Sequence, residues 1–161
     1  MDVSSTAAIT EFAIVVAGFT GLVFVIGAKE GAADPVVKFR IVTMLFYAFT
    51  AAFGSLLPTI AVSLEIRGVW EFSALVLAIL LIANMAATSL SQRVLLTSEE
   101  RVQLKQWMRV LVFAGNTVFA LLLVVPLIGV LALPITGVYF GALVWQLILS
   151  TVLFTRLVLQ G

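Results

Sequence analysis

Read for the spacing of charged residues, the chain falls into four long uncharged stretches, 12–28, 41–64, 72–92 and 110–155, which hold about two-thirds of its 161 residues. Within them no charged residue interrupts the apolar run, as in a helix surrounded by lipid or by other helices. A bilayer core about 30 Å thick is crossed by roughly 20 residues of helix. The first three stretches therefore predict one crossing each, and the fourth is about twice too long for one. Its break is expected at Pro134-Ile135-Thr136-Gly137, where proline and glycine cluster as they do in turns. The pattern predicts an all-α membrane protein with five transmembrane helices, spans 1 to 5, at about 7–28, 37–64, 71–94, 107–133 and 137–159. Residues 1–161 form one bundle, with no connection long enough for a soluble domain.

Local signals sharpen these elements. Asp34-Pro35 reads as a cap followed by proline at the first helical position and opens span 2. Pro58 removes a backbone donor inside that span and frees the carbonyl of Gly54, so a kink is expected there, and a second at Pro126 in span 4. Ser98 followed by Glu99, Glu100 and Arg101 starts a short helix in the one strongly hydrophilic loop. In span 1, Ala13, Ala17 and Gly21, with Gly18 beside them, form a small-residue seam that lets another backbone approach closely. Spans 2 and 4 share a layout, Arg40 before Pro58 and Arg109 before Pro126, as a duplicated hairpin would produce; chance alignment of a few residues produces it too.

Composition changes the picture by exclusion. At 63 % hydrophobic and 11 % charged residues, with mean hydropathy +1.24, the chain lies far from soluble domains. Cysteine and histidine are absent, which removes disulfides, haem and iron–sulfur ligation, the usual zinc sites and the commonest general base. No cofactor is expected, and the mixed charge of the hydrophilic loop gives nucleic acid no basic patch. Charge distribution then sets orientation. With five spans, Lys29, Lys38, Arg40, Arg93, Arg101, Lys105, Arg109 and Arg156 share one side, and Arg67 alone stands on the other. Lys and Arg accumulate on the cytoplasmic side, so the N-terminus is expected outside and the C-terminus in the cytoplasm.

Uncharged polar residues inside the spans are the remaining candidates for chemistry. Asn84, Thr88 and Ser91 stand at i, i+4 and i+7, one face of span 3. Gln146 and Ser150 repeat the spacing in span 5, and Asn116 lies in the inner half of span 4. These stripes line a water-filled pore, or they are interhelical hydrogen-bond glue; each residue alone fits glue, their shared depth adds weight to a cavity, and both readings stay open. Glu11 is expected at the outer mouth, as an acidic ring around an oligomer axis or as a lone carboxylate near a helix start. The carboxylates are all peripheral, so neither a proton relay nor hydrolysis has its groups in the membrane, and an enzyme is not expected.

Ala17-Gly18-Phe19-Thr20-Gly21, the arginine opening span 2 with Ser55-Leu56-Leu57-Pro58 near its end, Val69-Trp70 leading into Ser73-Ala74, Asn116, and Tyr139 through Arg156 resemble a family of small uncharacterised bacterial membrane proteins. The resemblance spans most of the chain and implies a multi-pass protein of the bacterial inner membrane, without supplying a site. The leading expectation is a homo-oligomer in the lipid bilayer with a channel-like pore for ions or small solutes. The alternative is a non-conducting structural or accessory subunit that binds another membrane protein. The second holds if the stripes of spans 3 and 5 face neighbouring helices within one protomer.

Overall fold

The computed structural model describes residues 11, 14, 18, 34–103, 106–130 and 132–159, and these are helical or in turns with no strand among them. Five helices follow one another: α1 (Pro35–Ser63), α2 (Val69–Leu95), the short α3 (Ser98–Gln103), α4 (Gln106–Val124) and α5 (Ile135–Leu159). They correspond to span 2, span 3, the hydrophilic loop, span 4 and span 5. Three helical segments are long and apolar enough to cross a membrane: Pro35–Ser63, Val69–Leu95 and Ile135–Arg156. The apolar part of α4, Val110–Val124, is shorter, about 22 Å at the rise of an α-helix. Of span 1, Glu11 and Gly18 are helical and exposed, and open space surrounds the position a Cβ would take on Gly18. Ala13, Ala17 and Gly21 lie outside the described residues.

The helix boundaries follow from side-chain chemistry. Asp34 caps α1, its carboxylate accepting from the Val36 amide at 3.0 Å, with Pro35 in the first turn, where a missing N–H costs nothing. The turn between α1 and α2 takes Glu65 and Gly68 into the left-handed region, at φ 54° and 73°. Thr97 caps α3 reciprocally. Its amide and hydroxyl donate to Glu100 at 2.7 and 2.9 Å, and the Glu100 amide approaches the Thr97 oxygen at 3.4 Å, the arrangement of a capping box. The Arg101 guanidinium then reaches back to the carbonyls of Leu96 and Arg93, satisfying acceptors left open at the end of α2.

The expected kink at Pro126 requires correction. The helix ends at Val124, and residues 125–130 run through turns, with Gly129 left-handed at φ 69°. Pro126 has no N–H to continue the ladder and its ring collides with the preceding turn; with Gly129 following closely, the chain leaves the helix. The break in the long apolar stretch thus precedes Pro134, and Thr136 and Gly137 lie in the first turn of α5. Pro58 behaves differently. It sits inside α1, buried, and the helix runs on to Ser63. The two prolines are not equivalent, and the layout shared by spans 2 and 4 does not extend to their structure.

Around these helices the packing follows the rules of a lipid environment. α1 packs against α5 and α2, α4 packs against α2 and α5 from the other side, and α2 meets α5 between them. Small residues contribute much of the contact: Ala48, Ala51, Ala74, Ala78, Ala120 and Ala142 are buried, whereas Phe53, Leu90, Val94, Leu121 and Ile148 are exposed. Lipid tails are as apolar as leucine, so helices gain by close backbone approach, and large apolar side chains are at no disadvantage facing outward. Leu77, Leu81, Leu123, Tyr139 and Leu143 complete the central core, and a smaller cluster joins Val36 and Phe39 to Leu96. That cluster places the beginning of α1 and the end of α2 at one end of the bundle.

Candidate functional site

At the middle of the bundle, polar side chains from four helices meet. Asn84 on α2 donates from its amide nitrogen to the Thr50 hydroxyl of α1 at 2.8 Å, and approaches the Phe46 carbonyl and the Gln146 Oε1 of α5 at 3.4 Å each. Gln146 in turn donates from Nε2 to Asn116 Oδ1 of α4 at 2.7 Å. The chain Asn116, Gln146, Asn84, Thr50 therefore crosses the whole bundle, and its members are all buried. Asn84 donates both ways, to Thr50 and toward Gln146, and Gln146 passes the chain on to Asn116; the Asn116 Nδ2 at the end has no partner among the described residues. One turn along α5, the Ser150 hydroxyl donates to the Met44 carbonyl of α1 at 3.3 Å.

Of the expected site residues, Asn84, Gln146 and Asn116 are joined directly, and Thr88 and Ser150 stand one turn from them. Asn84, Thr88, Asn116, Gln146 and Ser150 are buried within one protomer, and Ser91 is half-buried toward the end of α2. Asn84 and Gln146 share a bond because α2 and α5 meet at that depth, which the i, i+4 spacing in each helix leaves undetermined. Thr50 was not singled out by the sequence, although it stands i+7 from Thr43 and i+3 from Tyr47 and so shares their face of α1.

A second polar contact answers the proline. The carbonyl of Gly54, released from the helix ladder by Pro58, accepts a hydrogen bond from the Tyr139 hydroxyl of α5. Gly54 makes this possible sterically, since a Cβ there would stand 2.6 Å from Leu143 Cδ2 and 3.1 Å from Leu77 Cδ1. Tyr139 is held from above by Trp70, whose ring meets it edge-on at 5.8 Å. A carbonyl left without a partner there would cost about 1–3 kcal/mol; the tyrosine removes that cost.

Two further features escaped the sequence reading. Gly115 of α4 lies directly beneath the Trp145 ring of α5, leaving no room for a Cβ, and Trp145 continues onto Phe119 at 6.0 Å. This close approach is the small-residue seam of the described bundle; a lone glycine in an apolar run gave no spacing signal for it. The other is a set of buried hydroxyls, Thr43, Tyr47 and Thr88, without hydrogen-bond partners among the described residues.

Chemically, the arrangement ties the helices to one another. The polar groups of the seam are neutral amides and hydroxyls, and among the described residues no three acidic side chains come together as a metal site. Comparison with protein-family models, with curated proteins and with solved structures finds no match, so the reading rests on the chain's own residues.

Proposed function

We propose that this chain is a multi-pass protein of a bacterial inner membrane that serves as a non-conducting structural or accessory subunit. One observation carries the reading: the hydrogen-bonded chain from Asn116 through Gln146 and Asn84 to Thr50 lies inside a single protomer. The side chains best suited to line a pore are spent on the bundle's own helix contacts. A channel would then need a pathway at an axis between copies, lined by the outward faces, and those carry Phe49, Phe53, Leu121 and Ile148.

Five crossings with the N-terminus outside fit the same reading. The contact of Val36 and Phe39 with Leu96 supports placing Lys38, Arg40, Arg93 and Arg101 at one end, the cytoplasmic one by the distribution of basic residues. The absence of charge from the four uncharged stretches argues against coupled transport and against an enzyme. The partner is another membrane-embedded chain, met through the apolar surface. The test is reconstitution: purified protein in liposomes should pass neither monovalent ions nor small neutral solutes above the rate of protein-free vesicles. Flux that rises with protein content and changes with substitution of Gln146 would overturn the proposal in favour of the channel.

A further inference from the structure

We propose that Thr43, Tyr47 and Thr88 form a binding site for an ordered water molecule between α1 and α2, in the half of the bundle that begins at Pro35. In these helices a hydroxyl ordinarily returns its proton to the carbonyl one turn back: Ser63, Ser73, Ser89, Thr117, Thr151 and Thr155 each do so at 2.7 to 2.9 Å. That is the standard solution for a hydroxyl surrounded by apolar groups. Thr43 and Thr88 depart from it. Both are more than nine-tenths buried, and both leave Oγ1 without a partner among the described residues.

Helix geometry brings the three groups to one place. Thr43 and Tyr47 are one turn apart on α1, and Thr50, three residues further, is bonded to Asn84. Thr88 is one turn beyond Asn84 on α2, which runs antiparallel to α1. It therefore comes beside Tyr47: the two hydroxyls interact, but neither meets the distance and angle of a full direct hydrogen bond. Polar atoms that are adjacent but not bonded are the usual setting of a bridging water.

Water suits the site better than an ion. A buried water makes about three hydrogen bonds, within a range of 2–4, and here three hydroxyls each offer a donor and acceptor lone pairs. A cation would find neutral oxygens and no carboxylate in either helix between residues 41 and 64 or 72 and 92, too little to offset its loss of hydration. Asn84, immediately adjacent, is already committed to Thr50 and Gln146, so the water completes the polar seam rather than opening it.

Radiolytic footprinting of the folded protein in nanodiscs reads this directly, because hydroxyl radicals formed from a bound water oxidise the side chain beside it. The chain supplies its own control. Tyr47 and Tyr139 are both 0 % exposed, but the Tyr139 hydroxyl is spent on Gly54. The water site requires Tyr47 to be oxidised several-fold faster than Tyr139; a ratio near one, with both slow or both fast, overturns it. In a folded variant carrying Thr43→Val and Thr88→Val, the Tyr47 rate should fall toward that of Tyr139. An unchanged rate there would also overturn the site, and the wild-type ratio decides the matter if the double variant does not fold.

Discussion

Replacing Gln146 by leucine asks whether the polar seam is structural. Gln146 is fully buried and is the only member bonded to amide partners on both sides, Asn116 at 2.7 Å and Asn84 at 3.4 Å. Leucine has nearly the same volume, so packing is preserved and the loss is polar. Two interhelical bonds in a membrane bundle contribute about 0.6 kcal/mol each on average and up to about 2 for a good one. Asn84 keeps Thr50 and Phe46 and loses little more. Asn116 is left with both ends of its amide unpaired, a further cost of about 1 kcal/mol. The expected total is about 2 kcal/mol, a fall of about 4–8 °C in thermal midpoint for a chain of this length. The second arm is the double variant Gln146→Leu with Asn116→Leu. Removing both partners leaves nothing orphaned, so about 1 kcal/mol should return. Unfolding in detergent followed by tryptophan fluorescence, with steric trapping in bicelles for the free energies, measures both. A single variant within about 0.5 kcal/mol of wild type, or strict additivity in the cycle, would refute the seam; an amide hydrated in a pore gives that result.

Tyr139→Phe should cost about 1–2 kcal/mol by orphaning the Gly54 carbonyl, and much less in a Pro58→Ala background, where an amide N–H is restored to that carbonyl; equal costs in the two backgrounds would show that the tyrosine bond does not answer the proline. Gly115→Ala should lose about 1–3 kcal/mol by driving a methyl into the Trp145 ring. Gly137→Ala, whose new Cβ meets only Pro134 Cγ at 3.8 Å, should be neutral or stabilising; equal thermal shifts for the two would contradict the close approach of α4 and α5. Arg101→Gln should leave global stability nearly unchanged while raising amide exchange at residues 96–101, because only the guanidinium bridge to Leu96 and Arg93 is lost. A reporter joined after Gly161 should report a cytoplasmic location, and periplasmic activity would contradict the orientation read from the basic residues.

The sequence made the helices legible because in lipid the backbone has few alternatives. Asp34-Pro35 marked the start of α1 by cap chemistry, and the Ser98 to Arg101 signal marked α3, with Thr97 as its cap. Pro58 announced a freed carbonyl at Gly54, but its partner is 85 residues away in the chain, and no local pattern reaches that far. Pro126 misled for a related reason. A proline alone cannot tell a bend from an end, and at Pro126 the glycine three residues later takes a left-handed conformation that leaves the helix. The stripe Asn84, Thr88, Ser91 was readable as one face of one helix. Whether that face meets water or a neighbour depends on α5 presenting Gln146 at the same height, which is a property of packing. The Gly115 and Trp145 contact was invisible for the same cause: a glycine shows that close approach is permitted, and only the fold shows what approaches.

The central claim, that the polar seam is closed inside one protomer, is tested most directly by thiol reactivity at Asn84 and Ser150. The chain has no native cysteine, so Asn84→Cys and Ser150→Cys each carry one thiol. A dry, buried thiol stays protonated and unreactive toward a polar maleimide. In folded protein reconstituted into liposomes, both positions should remain unlabelled from either side and label fully after denaturation in SDS. Labelling of either cysteine in the folded protein, at the rate of a water-exposed thiol, would contradict the closed seam and return Asn84 and Ser150 to the wall of a pore.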